Sequence, residues 1–576
     1  MRRIIKNYYI QIKSLLGSNT RILPKILFLF VFSSSLEILG LSIVIPYMSV
    51  ILNYENLNVS LLYSFDFSYY TKKQLVIFLS IILVLTYSIK SFVSIIVKTY
   101  ILKYSYKVAF DLRTHLTKLF LQTKFQNFKQ KKLSDFVYII ENLTGDFHSN
   151  LNSLLTLISE SIIFGAIIIL LGFKNFIVLF FALLFVCLVF VSLDLIFKEK
   201  LKTYGIKVNI HANEMIQNVV DAIRGFKIIK ILNKEYFFLN KLKKNIQSFT
   251  NFRIKVAFIK LLPKHLFETL FIILICLSVI ISFEFEFSLN EFLITLTLFS
   301  AAAVRLIPCA NSISTNFSEL RFKRNSINLL YNNLKLFENF ENDFNNKNTI
   351  KLNNFEKLKF ENVSFSYSEN KEIFSNLNFE ILKGDRVAIV GKSGIGKTTL
   401  INLILGFLSA SSGKILINNQ EIDKDIKSWH KIVSYIPQDG FLFGDKIKTN
   451  ITLEDNDELI DFDRLQLSIN KSGIDFEKNF EDILNKKLTD MGENISGGQK
   501  QRVSIARIFY FDNEVIILDE PTSALDSKTE DLIISAIDKL DKNKTIFVIA
   551  HNSKIVDTCN IKLFLENNSI NIKKNL

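Results

Sequence analysis

Long apolar runs crowd the first 310 or so residues of the chain and are then replaced by shorter, alternating ones. Six of the runs approach the ~20 residues that a helix needs to cross the hydrocarbon core of a bilayer. They lie at about Ile26 to Leu52, Leu75 to Ile101, Leu154 to Leu171, Phe176 to Phe197, Leu266 to Phe283 and Phe292 to Ile313. Lys174-Asn175 parts the third from the fourth, and Arg305 with Pro308 makes the sixth the weakest. The segments after runs one, three and five are short, and the last of these, Phe283-Glu284-Phe285-Glu286-Phe287, is acidic. Those after runs two and four extend for about 50 to 70 residues, are rich in Lys and Arg, and keep a helical periodicity. One holds Asp111, Arg113, Lys118 and Phe128; the other reads Ala222-Ile223-Arg224-Gly225-Phe226-Lys227-Ile228-Ile229-Lys230. At that length, spans that continue as helices beyond the bilayer are expected rather than plain loops. The distribution of Lys and Arg places both long segments and the two termini on the cytoplasmic side. Arg2, Arg3, Lys6 and Lys13 precede the first run, which is too long for the core of a cleavable signal peptide and is expected to stay in place.

Residues 338–354 are rich in Asn, Asp and Glu and carry few structure signals. They divide a membrane domain, 1–337, from a second domain, 355–576, with 338–354 as linker. In the second domain short β-rich runs alternate with helical ones, which predicts an α/β fold with a largely parallel sheet. The fold class expected is therefore a polytopic six-helix membrane domain followed by an α/β nucleotide-binding domain.

The net charge of +15 would suit a nucleic-acid binder, but positive flanks of membrane spans account for it more economically, and no nucleic-acid partner is expected. Four scattered cysteines, Cys187, Cys276, Cys309 and Cys559, show neither disulfide nor metal spacing.

The richest chemistry begins at Gly391-Lys392-Ser393-Gly394-Ile395-Gly396-Lys397-Thr398. A strand-like run, Arg386-Val387-Ala388-Ile389-Val390, precedes it and a helix-like one, Thr399-Leu400-Ile401-Asn402-Leu403-Ile404-Leu405, follows. In that context the glycines turn backbone N–H groups inward onto phosphate oxygens, and the helix N-terminus adds its positive end. Lys397 is placed to reach the β- and γ-phosphates and Thr398 to hold Mg²⁺. Further on, Val515-Ile516-Ile517-Leu518 reads as a buried parallel strand ending in Asp519-Glu520. Asp519 is then a second Mg²⁺-holding group, and Glu520 a base for the attacking water. Between the two lies Ile495-Ser496-Gly497-Gly498-Gln499-Lys500-Gln501-Arg502, an anion-binding helix start.

In this order the motifs resemble the ATP-binding cassette of ABC transporters, and the first half resembles the six-helix membrane domain of ABC exporters. The resemblance implies an ATPase with ATP and Mg²⁺ as cofactors. It also implies that two chains pair head to tail, so that Ser496, Gly497, Gly498 and Gln499 of one close on ATP held by the other's residues 391–399. Tyr367, in Val363-Ser364-Phe365-Ser366-Tyr367, matches the aromatic that stacks on adenine. Gln438, in Tyr435-Ile436-Pro437-Gln438-Asp439, matches the glutamine that contacts Mg²⁺ and couples to the membrane helices. Asp526 matches the inter-cassette aspartate, and His551, after Thr545-Ile546-Phe547-Val548-Ile549-Ala550, the histidine on the γ-phosphate. Two departures stand out: Ile495 where leucine is usual, and a shortened run at Asp490-Met491-Gly492-Glu493-Asn494. The setting implied is a bacterial inner membrane, with the cassette cytoplasmic.

Charges in or at the edge of the spans point to cargo, because a charge at the bilayer centre costs about 2.5–3.5 kcal/mol on insertion scales. These are Glu37, Lys90, Glu160, Asp194, Lys264, Glu268 and Arg305; pairing between helices is the alternative for the three glutamates, and snorkelling for Lys264. Arg305-Leu306-Ile307-Pro308-Cys309-Ala310-Asn311 resembles the sixth-span motif of bacterial flippases for lipid-linked oligosaccharides used in protein glycosylation, and the likeness extends into Ile327–Leu334. It implies that Lys90, Lys264 and Arg305 attract the phosphates of a lipid-linked substrate, lysine lacking the bidentate fork of arginine. Residues 57–65 are expected to form an amphipathic helix that grips the lipid tail. Export of drugs, lipid A-like lipids or peptides is the alternative.

Overall fold

The structure is a computed structural model and describes residues 2–52, 71–173, 176–284, 289–345, 352, 354–367, 372–422, 426–438, 440–475, 477, 479–489, 492–522, 527–550, 553–566 and 568–574. Residues 57–65, and with them the proposed lipid-gripping helix, lie outside these. The chain divides into two compact units, one of Met1–Thr123 with Lys129–Glu341, the other of Lys124–Phe128 with Asn342–Leu576.

The first unit is helical. An amphipathic α1 (Arg2–Leu16) leads into α2 (Leu23–Leu52) and α3 (Lys72–Leu121). After α4 (Phe125–Lys129), four of whose five residues belong to the second unit, come α5 (Leu133–Val137), α6 (Thr144–Gly172), α7 (Phe176–Arg224), α8 (Phe226–Ile231), α9 (Glu235–Glu284), α10 (Leu289–Phe322) and α11 (Arg324–Asn345). The six long apolar runs fall on α2, α3, α6, α7, α9 and α10. Helices α3, α7 and α9 have 50, 49 and 50 residues. At 1.5 Å per residue each is about 75 Å long, more than twice the thickness of a hydrocarbon core, so the long basic segments are helix extensions. Among the described residues Lys6–Met48, Lys72–Leu121 and Leu133–Gly172 are long and apolar enough to cross a membrane. Phe28, Val84, Phe92 and Ile169 face outward, as lipid-facing side chains would.

Pro308 does not end the sixth run: α10 continues through it. A membrane helix tolerates proline where neighbouring helices cover the freed carbonyl, and α10 packs against α2, α6, α7 and α9. Gly205 of α7 lies so close to α10 that a Cβ there would come within 2.0 Å of the Phe322 carbonyl oxygen. The helix α11 runs on to Asn345, so the start of the segment read as linker is helical.

The second unit holds two sheets. Strands β1 (Lys357–Ser366), β2 (Glu372–Leu382), β4 (Ser412–Ile417) and β5 (Gln420–Glu421) form an antiparallel sheet in the order β2-β1-β4-β5. This sheet adds to the largely parallel one expected. The six-stranded sheet has the order β10-β9-β3-β8-β7-β6. Its members are β3 (Arg386–Val390), β6 (Val433–Ile436), β7 (Val515–Asp519), β8 (Thr545–Ile549), β9 (Ile561–Glu566) and β10 (Ser569–Lys574). All its pairings are parallel except the β9–β10 hairpin. Every residue of β7 and β8 is buried, which is why they read as unbroken apolar runs. Trp429, the sole tryptophan, is fully buried between the sheets with Phe355, Leu403 and Phe547.

The helices of this unit are α12 (Lys397–Ile404), α13 (Ile426–Lys431), α14 (Ile447–Thr452), α15 (Phe462–Ser472), α16 (Phe480–Asn485), α17 (Gly497–Phe511), α18 (Ser527–Asp538) and α19 (Ser553–Asp557). Of these, α14 to α17 share a separate apolar core around Leu465, Ile469, Val503 and Ala506.

Candidate functional site

Strand β3 carries the cradle. Val387, Ala388 and Ile389 are fully buried, held between β8 and β9 in parallel register, so the turn that follows starts from a fixed edge. Gly391, Lys392, Ser393, Gly394 and Ile395 make that turn, and Gly396 caps α12 with φ +113°. A Cβ at Gly396 would also lie 2.8 Å from Ile373 Cγ2 and 3.0 Å from Phe374 Cζ, so both backbone and space require glycine. Lys397 reaches back over the turn and donates to the Gly391 carbonyl at 2.9 Å. This closes the loop around the space a phosphate would fill. Burial lowers the Lys397 ammonium below the usual lysine range, while Glu520 and Asp519 oppose that shift. Thr398 is exposed toward solvent, and Thr399 is buried with its hydroxyl 3.2 Å from that of Tyr367. The Tyr367 ring, exposed and edge-on to Phe365, is thereby anchored to the cradle helix.

Strand β7 delivers the two carboxylates. Asp519 is buried at its end, and its carboxyl is pushed above the usual aspartate range by burial and by Glu520. The Tyr435 hydroxyl on β6 lies 3.5 Å from Asp519 Oδ2. Glu520 follows with φ +49°, a left-handed conformation that a glutamate adopts only when its surroundings impose it. Here the imposing contact is its own N–H, bonded to the Ile549 carbonyl of β8 at 3.1 Å. The Glu520 carboxylate accepts a 2.8 Å hydrogen bond from the Gln438 side-chain amide. The cradle, Asp519, Glu520 and Gln438 therefore lie together.

The oxygens of Thr398, Gln438 and Asp519 suit Mg²⁺, a hard cation that takes few protein ligands and keeps waters or phosphate oxygens. These groups would hold the ion, which when bound neutralises phosphate charge.

Ser496 caps α17: its hydroxyl accepts from the Gln499 N–H at 3.2 Å and its own N–H donates to Gln499 Oε1 at 2.9 Å. Ser496 and Gly497 are exposed, and nothing lies within 4 Å of a Cβ built at Gly497. The pair is open for an incoming anion. Ile495 is buried in the core of α14 to α17, a place that any branched aliphatic fills. Asp526 and His551 lie outside the described residues.

Residues 374–523 match the family model described as ABC transporter, and residues 23–305 match the one described as ABC transporter transmembrane region. The chain thus carries two stretches that match the transmembrane region and the ATP-binding domain of ABC transporters. Its fold is that of a bacterial Atm1-family ABC exporter solved with ATP bound. The TM-score is 0.78 over 97% of this chain and 95% of that one, at 19% identity. YgaD of Bacillus subtilis, an ATP-binding/permease protein named for multidrug export, is 37% identical over 215 residues, 37% of each chain. ATP-binding cassette sub-family B member 6 of Xenopus tropicalis is 29% identical over 425 residues, 71% of this chain and 48% of its own. The chain thus spans about two fifths to one half of the curated relatives it matches.

One residue of the cassette escaped the sequence reading. Arg507 of α17 is largely buried with no carboxylate paired to it among the described residues, and burial pushes its guanidinium down to about 10. It donates from Nε to the Asn450 carbonyl at 2.6 Å and from Nη1 to the Phe441 carbonyl at 2.7 Å. Asn450, fully buried, in turn donates to Phe443 O at 3.0 Å and accepts from Phe443 N at 3.1 Å. The segment just after Gln438 is thus pinned to the helix that begins at Ser496. The signal in the sequence was an arginine inside the apolar run Val503-Ser504-Ile505-Ala506-Arg507-Ile508.

In the membrane unit Lys90 and Arg305 meet, but not as unpaired cations. Glu37 Oε1 lies 2.6 Å from Lys90 Nζ and 3.0 Å from Arg305 Nε, and Arg305 Nη2 lies 3.6 Å from Glu160. Cys309 donates to Glu160 at 3.1 Å. The pairing alternative for Glu37 and Glu160 is what this arrangement displays, because an unneutralised charge would have to be removed from water at high cost. Lys264 stands apart, exposed and 4.0 Å from Glu268 one turn along α9, so the three cations expected to act together do not form one cluster. Asp194 pairs with Arg321 at 2.7 Å.

Proposed function

We propose that this protein hydrolyses ATP and uses the energy to move an amphiphile across a bacterial inner membrane, cassette and termini on the cytoplasmic side, as a homodimer with two composite ATP sites. The observation that carries the ATPase is the 2.8 Å hydrogen bond joining Gln438 to Glu520 beside Lys397 and Asp519. Glu520 acts as base for the attacking water, with Gln438 holding its carboxylate in place. Lys397 and the N–H groups of residues 391–399 bind the phosphates, Tyr367 stacks on adenine, and Thr398, Gln438 and Asp519 hold Mg²⁺. The exposed Ser496–Gln499 helix start supports pairing, because each chain has one cradle and one such element and neither contacts the other's ligand alone. His551 and Asp526 complete the site at the γ-phosphate and between cassettes.

For the cargo we infer a phosphate-bearing amphiphile of the lipid-linked oligosaccharide kind, supported by Lys90 and Arg305, which share Glu37 between two membrane helices, and by the Arg305–Asn311 segment. Lys264 is a third, separate contact for such a lipid. Export of uncharged or cationic drugs is the second reading, favoured by the neutral pairing of Lys90 and Arg305 with Glu37 and Glu160 and by the name of the Bacillus relative.

The test is ATP hydrolysis and transbilayer lipid movement in proteoliposomes, with and without a polyprenyl-pyrophosphate oligosaccharide, for wild type, Glu520→Gln and Arg305→Ala. Turnover should fall by about 10²–10⁴-fold in Glu520→Gln. Lipid movement should be lost in Arg305→Ala while hydrolysis persists. Unchanged turnover in the first variant would remove Glu520 as the base, and lipid movement that ignores Arg305 would favour the drug reading.

A further inference from the structure

Four charges on four helices sum to zero: Glu37 of α2, Lys90 of α3, Glu160 of α6 and Arg305 of α10. Three features separate this cluster from a plain helix clamp. First, one oxygen, Glu37 Oε1, serves both cations, while the second carboxylate, Glu160, is held more loosely at 3.6 Å and takes a cysteine thiol as well. Second, the distances are those of ion pairs but the directions are not those of hydrogen bonds: Glu37 Oε1 and Arg305 Nε are both buried without an aligned partner. A buried pair that serves stability alone is expected to satisfy its donors, since an unmet one costs about 1–3 kcal/mol. Third, exposure is unequal. The side chains of Lys90 and Arg305 are 17% and 24% exposed, and that of Glu37 is 3%. The two cations thus keep part of their surface exposed while the carboxylate is buried. Lys90 also rests over the Tyr87 ring at 4.5 Å, which lets its ammonium keep part of its stabilisation when its anion changes.

We propose that Glu37 is a built-in stand-in for the cargo's anionic headgroup. Together with Glu160 it balances the charges of Lys90 and Arg305 in the empty protein, and a phosphate or carboxylate on an amphiphile competes with it for both. Glu37 thereby sets the affinity threshold and the charge selectivity of the cargo site. The inference rests on the anionic-amphiphile reading above.

Charge arithmetic supplies the test. The cluster carries zero charge in wild type, +1 in Glu37→Gln, −1 in Lys90→Gln and zero again in the double variant. The full chain is placed in phosphatidylcholine nanodiscs, and its ATPase is titrated with undecaprenyl phosphate and, separately, with the cation tetraphenylphosphonium. The expected result is an ordered series for undecaprenyl phosphate. Its half-maximal concentration falls about tenfold in Glu37→Gln, the step given by about 1.4 kcal/mol, and rises by a similar factor in Lys90→Gln. The double variant returns toward wild type, and tetraphenylphosphonium shows no gain in Glu37→Gln. If Glu37→Gln does not fold, Lys90→Gln against the double variant still reads the same step. Equal responses across all four proteins, with wild type stimulated by the phosphate lipid, would overturn the role of Glu37 alone. Stimulation of wild type by tetraphenylphosphonium only would overturn the anionic-cargo reading and this inference with it.

Discussion

Replacing Arg507 by methionine tests whether the loop after Gln438 depends on the helix that begins at Ser496. The guanidinium makes two short charge-assisted bonds, 2.6 Å to Asn450 O and 2.7 Å to Phe441 O. Each such bond contributes about 1.5–3 kcal/mol net; methionine leaves the carbonyl of fully buried Asn450 without its donor, while that of exposed Phe441 turns to water. Against this stands the relief of no longer burying a cation whose environment pushes it down to about 10. The balance predicts a loss of about 2–4 kcal/mol in cassette stability, or a fall of roughly 5–15 °C in its unfolding midpoint. Because Trp429 is the sole tryptophan and is fully buried in the cassette core, its fluorescence reports that transition directly. Turnover is expected to fall about tenfold, since Gln438 would lose the fixed base from which it reaches Glu520. The KM for ATP should stay within about twofold, because β3 and α12 are untouched. Arg507→Lys, with charge but no fork, should recover about half of each effect. A methionine variant with the wild-type midpoint, or one whose whole defect lies in KM, would refute the reasoning.

Gly396→Ala should weaken ATP binding by about tenfold or more, measured by nucleotide titration, since it combines a left-handed φ of +113° with a Cβ 2.8 Å from Ile373. Thr399→Val removes the hydroxyl 3.2 Å from that of Tyr367, and the KM for ATP should rise a few-fold while hydrolysis at saturation is kept. His430 is held neutral: burial lowers its imidazole below the usual histidine range, and Nε2 sits 2.8 Å from the Leu405 carbonyl. The unfolded chain therefore binds the proton first, so stability contributed by the neutral ring is intact above the ordinary histidine value and declines as pH falls below it. His430→Gln should flatten that decline between about pH 7 and 5 in Trp429-monitored unfolding.

The membrane and cassette architecture was legible because its signals are local. Span length follows from bilayer thickness, and periodicity marks one helix or strand at a time. The cradle at 391–398 was equally legible, since a turn that admits phosphate needs glycines and a lysine at set spacing. The buried strand Val515–Asp519 announced the carboxylates by its unbroken apolar run. Pro308 and Arg305 misled, because whether a proline or a charge ends a helix depends on neighbours that the chain alone does not display. Here α2 and α6 bring carboxylates to Arg305, and packed helices carry α10 through Pro308.

What the sequence by itself determined was which residue types are present at which intervals: six membrane runs, a phosphate cradle, two carboxylates at a strand end, and intramembrane charges. What only the tertiary structure decided was who meets whom. Glu37 lies 53 positions from Lys90 and 268 from Arg305, yet one of its oxygens serves both. Gln438 reaches Glu520 only because β6 and β7 pair in parallel register. Such partnerships come from helix packing and strand order, where contacts between distant residues are fixed by the burial of many others. The chain codes them collectively, and only folding makes them specific.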